Sequence, residues 1–184
     1  NRCKGEMDDN WAKVANEIVK ISKIHKTDSS IMILPFMNYH ELNPGDAIHI
    51  EPGVAHIYIQ GMAVEVMEPG DNVVRAGLTI KHKDKKEFLS LLNISAEIPQ
   101  VQSIHGSDHE YAGPVENLTV RRLEDTKIEV NGSRSVDLIL TTTGTSKVEH
   151  EEETRLNPGE AFLIQGEDLN YTIDTAGSAF LVRG

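Results

Sequence analysis

Leu42-Asn-Pro-Gly-Asp-Ala-Ile-His-Ile-Glu-Pro-Gly-Val-Ala-His-Ile-Tyr-Ile-Gln60 is the stretch from which the fold is read. Asn43-Pro-Gly45 and Pro52-Gly53 punctuate β-branched runs at 47–51 and 54–60, the pattern of short antiparallel strands joined by tight turns. Gly61 and Pro69-Gly-Asp-Asn72 bound two more such runs, 62–67 and 73–80. The opening hexapeptide returns 114 residues later as Leu156-Asn-Pro-Gly-Glu-Ala161, again followed by a strand, a polar break and a strand. Duplication of one jelly-roll unit accounts for both copies. The same offset sets His56 against Asn170 and Tyr58 against Thr172, so a metal ligand at His56 has no counterpart in the second copy.

Further strands are expected at 117–122, 127–130, 135–142, 146–150, 160–164, 170–173 and 179–183, separated by Asn131-Gly132, Gly144, Asn157-Pro-Gly159, Gly166 and Gly177. Many short strands at this spacing give a sandwich or barrel. Ahead of them, Trp11, Val14, Ile18, Ile21 and His25 recur three and four apart, which predicts an amphipathic helix over 8–25 with Asp8 and Asp9 at its first turn. Lys26 to Ser30 ends it, and Ile31 to Phe36 reads as a short buried strand or an apolar connector. A second helix is expected over 84–93, where Asp84 and Glu87 have capping-box spacing. Ile98 to Pro114 shows no sustained period and reads as a connection. The expected division is a helical segment 1–37, a β unit with its connector 38–114, and a second β unit 115–184.

The 184 residues carry 29 acidic against 18 basic side chains, a net charge of −11, which excludes nucleic acid and anionic membrane as partners because both demand a basic face. No apolar run approaches the roughly 18 residues that cross a bilayer. One cysteine, Cys3, forms no disulfide framework and fits a reducing compartment, so the expected location is the cytoplasm. The chain opens Asn-Arg-Cys-Lys rather than with methionine, which suggests a piece of a longer protein.

On the run 54–60, His56, Tyr58 and Gln60 share one face and Ala55, Ile57 and Ile59 the other. A polar strand face looks into water or into a functional cavity. Neutral imidazole suits zinc, although a lone strand histidine is more often hydrogen-bonded or exposed. Glu65 shares its face with Ala63 and Met67 on the next run. Arg75 and Lys81, at opposite ends of one run, offer a planar donor and a mobile point charge, the pair that a sugar phosphate requires and that a rim salt bridge uses equally well. His105-Gly-Ser-Asp-His109 has chelating spacing but the character of a surface loop.

Asp71-Asn-Val-Val-Arg-Ala-Gly-Leu-Thr-Ile-Lys81, together with Leu42-x-Pro-Gly-x-Ala47 and the His56 segment, resembles the core of the type I mannose-6-phosphate isomerases, also called phosphomannose isomerases. Tyr111-x-x-Pro114-Val-Glu116 and the last β unit are similar to the same family more loosely. The resemblance implies a mainly β fold of cupin-like jelly-roll units (double-stranded β-helices) behind a short helical segment. It implies a zinc enzyme that interconverts mannose 6-phosphate and fructose 6-phosphate. Carried over by position, His56 is a zinc ligand, Arg75 the catalytic arginine and Glu65 a catalytic carboxylate. Lys81, Tyr58 and Asp71 contact or line the sugar-phosphate pocket. Gly70 replaces the family's serine, and Ile80 its proline.

The family's remaining zinc ligands, a Gln-x-His pair and a glutamate, come from an N-terminal segment outside this chain, and Gln100-Val-Gln102 does not replace the pair. Zinc needs three or four protein ligands at about 2.0 to 2.3 Å, so the chain alone is expected to bind no metal and to be inactive without the rest of the same protein. Two other readings stay open at this level. One is a non-catalytic cupin-like sugar-binding or regulatory module, and the other is a structural β domain serving oligomerisation.

Overall fold

The computed structural model describes residues 9–67, 70, 72–113, 118–133, 136–167 and 169–184. The chain forms two compact units. One comprises the chain up to Glu41 with Ile50–Pro99, and the other Leu42–His49 with Gln100–Gly184. The fold is mainly β with a short helical segment near the N-terminus, as expected.

The second unit is an antiparallel sheet built from β3 (Asp108–Tyr111), β4 (Thr119–Ser133), β5 (Val136–Glu149), β6 (Glu153–Leu156), β7 (Ala161–Gln165) and β8 (Leu169–Arg183). The order is β3-β4-β8-β5-β6, and β7 pairs with the first half of β5 while β6 pairs with its last residues. A separate two-stranded ribbon joins β1 (Ala47–Ile48) to β2 (Val101–Gln102). Of the run expected at 47–51, only these two residues pair.

β4, β5 and β8 are each one long strand where the sequence reads as two short ones. Buried positions explain the difference. In β5, Asp137, Ile139 and Thr141 are buried before the irregularity between Thr141 and Thr143, and Ser146 and Val148 after it. β4 buries Leu123 before Asp125, which has φ 44°, and Ile128 and Val130 after it. A bulge inserts one residue, and with a side-chain period of two that shift returns the apolar set to the core face. What reads as a turn at Gly144 and Gly177 is therefore a bend within continuous strands, and Asp125 marks a similar irregularity in β4. The core gathers Leu123, Ile128, Ile139, Val148, Ile173 and Leu181 with their neighbours. The buried hydroxyls of Thr141, Ser146 and Thr175 bond to one another.

Part of the connector 98–114 joins the sheet, since β3 pairs along Leu123 to Val120 of β4, and the bidentate pair of Arg121 with Asp108 fastens the two strands. β6 went unread because Glu-Thr-Arg-Leu lacks β-branched periodicity.

The first unit holds α1 (Asp9–Ile24), a 3-10 helix (Ser29–Phe36) and α2 (Lys85–Leu91). Val14, Ile18 and Ile21 form the inward stripe of α1, with Ile21 buried and His25 half-buried just beyond the helix, while Trp11 stays exposed. Ser29–Phe36 is helical rather than a strand. Asp28 caps it by accepting from Ser30 N, and only Leu34 is buried. Asp84 caps α2 by accepting from Glu87 N, as the capping spacing predicts. The runs 54–60, 62–67 and 73–80 are not strands among the described residues. Their alternation is real, with Ile57, Val64 and Val66 half-buried and His56, Tyr58, Glu65 and Met67 exposed. Strands exist only in pairs, and these segments have no pairing partner among the described residues.

The two hexapeptides fold alike. Asp46 N donates to Asn43 O at 2.9 Å, and Asn43 N and Nδ2 both donate to Asp46 Oδ2 at 2.9 and 3.0 Å. In the second copy Glu160 N donates to Asn157 O at 3.0 Å, and Asn157 N and Nδ2 donate to Glu160 Oε2 at 2.8 and 3.1 Å. Gly45 and Gly159 sit at φ 90° and 86°, which favours glycine after proline in such a turn.

Candidate functional site

His56, Tyr58 and Glu65 come together. The rings of His56 and Tyr58 lie 5.7 Å apart and tilted by 59°, and Tyr58 Oη donates to Glu65 Oε1 at 3.2 Å. Strand-like alternation sets His56 and Tyr58 on one face, and Gly61, at φ 115°, turns the chain so that Glu65 comes back beside them. Partial desolvation and then the Glu65 carboxylate push the Tyr58 phenol above its ordinary value, so the hydroxyl stays a donor at neutral pH.

His56 Nδ1 lies 2.9 Å from Val54 O. A carbonyl oxygen only accepts, so Nδ1 is the donor in this contact, which leaves Nε2 as the nitrogen that a neutral ring offers to a metal. Among the described residues no three His, Cys, Asp or Glu side chains gather closely enough to hold an ion. The chemistry of the donor set thus fits zinc at one ligand and does not complete a site.

Arg75 is half-buried and its guanidinium donates to Val73 O at 3.4 Å. Lys81 is exposed, its backbone N bonded to Thr79 Oγ1 at 3.1 Å. Among the described residues no hydrogen bond or ion pair joins either cation to His56, Tyr58 or Glu65. Asp71 lies outside the described residues. His105 and His109 are not confined to a loop: His109 is in β3, between His105 and Tyr111, with ring separations of 5.9 and 5.0 Å.

Sequence reading missed Asp28. Its carboxylate accepts from Ser30 N at 3.0 Å, from Leu78 N at 2.9 Å and from Lys83 Nζ at 3.3 Å. The side chain is 11% exposed. The two backbone amides, first Ser30 and then Leu78, hold its carboxyl well below the usual range. No local signal marks this role, because Leu78 is fifty residues away.

A concavity of this unit, about 470 Å³, is lined by Lys13, Asn16, Glu17, Lys20, Tyr39 and Gln60 among others. Only Gln60 shares the face of His56 and Tyr58. Its lysines are largely neutralised, with Lys13 on Glu41 and Lys20 on Glu17, each at 2.6 Å.

No family model matches the chain. It is 26% identical to the mannose-6-phosphate isomerase of Escherichia coli over 181 residues, covering 95% of this chain and 46% of that protein. It is 38% identical to mannose-6-phosphate isomerase 2 of Arabidopsis thaliana over 84 residues, 46% of this chain and 19% of that one. A variant phosphomannose isomerase from Salmonella typhimurium superposes with a TM-score of 0.78 at 24% identity, over 97% of this chain and 48% of that structure, which establishes a common fold. The chain spans about half the length of the E. coli relative. Along nearly all of its length the chain is thus similar in sequence to the E. coli mannose-6-phosphate isomerase, of which it matches about half, and it shares the fold of the Salmonella phosphomannose isomerase.

Proposed function

We propose that this chain is part of a zinc-dependent isomerase that interconverts mannose 6-phosphate and fructose 6-phosphate. The observation that carries the reading is the sequence relation to the E. coli mannose-6-phosphate isomerase across 181 residues. Aldose–ketose isomerisation moves a proton between C1 and C2 through an enediolate, so the site needs a base, fixed positive charge and polarised sugar oxygens. Bound zinc supplies the polarisation. In this chain His56 offers it Nε2, with Nδ1 anchored on Val54 O. The other ligands come from outside the described residues, in the part of the same protein that the relatives carry and this chain does not.

Arg75 sets a permanent charge against the negative oxygen that develops in the enediolate. Glu65, held by Tyr58, is a candidate for the proton shuttle alongside groups from that remaining part. Lys81 attracts the phosphate as a mobile point charge, and Tyr58 and Asp71 line the pocket. The two β units of residues 38–114 and 115–184 belong to the same reading, the first catalytic and the second its jelly-roll companion. Apolar side chains such as Phe36, Met62 and Met67 stand 87%, 81% and 54% exposed in the first unit, a surface suited to cover by further chain. No helix among the described residues is long and apolar enough to cross a membrane. The place of action in this reading is the cytoplasm.

The test is conversion of mannose 6-phosphate to fructose 6-phosphate with zinc supplied, on the 184-residue chain and on a protein of the relatives' full length that contains it. The longer protein turns over and the shorter does not. Turnover by the 184 residues alone would show that the metal assignment is wrong. Sugar-phosphate binding without turnover at either length would favour a non-catalytic sugar-binding module.

A further inference from the structure

We propose that Asp28 is a positioning residue for Arg75 and Lys81, acting through the loop that they flank, an inference that rests on the sugar-phosphate reading above. Arg75 and Lys81 lie three residues to either side of Leu78. The loop is closed at its base, where Asp84 N donates to Arg75 O at 2.9 Å. Its tip is pinned at the midpoint, where Leu78 N donates to Asp28 Oδ2 at 2.9 Å. Its outgoing arm is held to the same short segment, Lys83 Nζ on Asp28 at 3.3 Å and Lys85 Nζ on Ser29 Oγ at 3.3 Å.

The tip has little room to sit elsewhere. A Cβ on Gly77 would meet Ser30 Oγ at 2.0 Å and Asp28 Oδ1 at 2.8 Å, so only glycine lets the backbone approach this closely. Leu78 adopts φ 54°, a left-handed conformation that a leucine keeps only where its surroundings impose it. The carboxylate that imposes it is nearly enclosed and spends one oxygen on Ser30 and the other on Leu78 and Lys83. Asp28 thereby fixes the stalk on which both cations stand. A loop freed at its tip carries Arg75 and Lys81 through many orientations, and misplacement by about an ångström is enough to cost a hundredfold in rate.

Asn at position 28 has nearly the same shape, keeps one oxygen for Ser30 and cannot serve Leu78 and Lys83 as well. Gly77→Ala pushes the same tip away without touching Asp28. The experiment uses the full-length protein with Asp28→Asn, Gly77→Ala, Arg75→Ala and the double variant Asp28→Asn with Arg75→Ala. Two quantities are read, amide hydrogen exchange at Leu78 and turnover of mannose 6-phosphate. Exchange at Leu78 should accelerate by about tenfold in Asp28→Asn, the worth of one hydrogen bond to a charged acceptor, while β8 amides keep their rates. Turnover should fall in Asp28→Asn and in Gly77→Ala, and Asp28→Asn should cost less in the Arg75→Ala background than it does alone, because only the placement of Lys81 is then left to lose. Unchanged exchange at Leu78, unchanged turnover in Asp28→Asn, or losses that multiply in the double variant would each overturn the positioning role. Absence of turnover in the unsubstituted protein would overturn the sugar-phosphate reading, and the proposal with it.

Discussion

Gly144 of β5 faces Gly177 of β8 across the sheet, and each occupies the space that a side chain on the other would need. A Cβ on Gly144 would lie 1.8 Å from Ala176 O and 2.9 Å from Gly177 Cα, and one on Gly177 would lie 2.3 Å from Thr143 O. Both glycines are left-handed, at φ 69° and 116°. Gly132 has a similar φ of 66° with nothing within 4 Å of its absent Cβ. Gly132→Ala should therefore cost about 1 kcal/mol for conformation alone, and Gly144→Ala about 3 kcal/mol, because backbone must also move. Urea unfolding of the two variants separates the contributions, and equal losses would show that the close approach is unimportant.

Asp137 is fully buried in β5 and accepts from Arg183 Nε at 2.9 Å, from Arg183 Nη2 at 3.1 Å and from the Tyr171 hydroxyl. Burial first, then the Asp137 carboxylate, pushes the Tyr171 phenol far above its ordinary value. Asp137→Ala leaves a partly buried guanidinium without this carboxylate and should cost about 3 kcal/mol, at the lower end for broken buried pairs because Arg183 keeps 37% exposure. Tyr171→Phe, which removes one donor, should cost about 1 kcal/mol. Denaturant midpoints check both values and their order.

Asp28 gives the first unit a dependence on acid. Its folded carboxyl titrates below the unfolded value of about 3.9, so its contribution is complete above that pH and is lost as pH falls toward the folded value. The stability difference between the protein and Asp28→Asn should be constant from pH 7 to 5 and shrink below about pH 4. Melting of both proteins across that range provides the comparison, and a difference that grows on acidification would contradict the assigned sign.

In a protein of the relatives' length, Arg75→Ala should lower turnover of mannose 6-phosphate by about a hundredfold, the usual worth of one well-placed charge in a transition state. Folding should hardly change, since among the described residues the side-chain bond of Arg75 is the long contact with Val73 O. Steady-state kinetics beside thermal melting tests the separation. Near-normal turnover would make Arg75 scaffold.

The two α-helices and the Asn-Pro-Gly turns were legible because their signals are local, whereas the 3-10 helix Ser29–Phe36 reads as a short strand or an apolar connector. The Asp84 to Glu87 cap, the α1 stripe and the paired Asn-Pro-Gly turns depend on residues at most a few positions apart, and all of them form. Long strands were less legible, because Gly144 and Gly177 look alike in sequence whether they end a strand or bend one; only the buried positions on either side distinguish the cases. At the candidate site, alternation placed His56 and Tyr58 on one face, and the hydrogen bond from Tyr58 to Glu65 joins the next run to it. Asp28 stayed hidden, since a carboxylate in a polar turn carries no mark of a partner fifty residues onward.

The alternation of 54–67, unpaired among the described residues, also bears on biogenesis. A ribosome releases these residues before β4 to β8 exist. Until covered, Tyr58, Ile59, Met62 and Met67 present exposed apolar side chains. Such a segment can template pairing with a neighbouring copy. The sooner these side chains are shielded by their own chain, the shorter the time in which a neighbouring nascent chain can meet them.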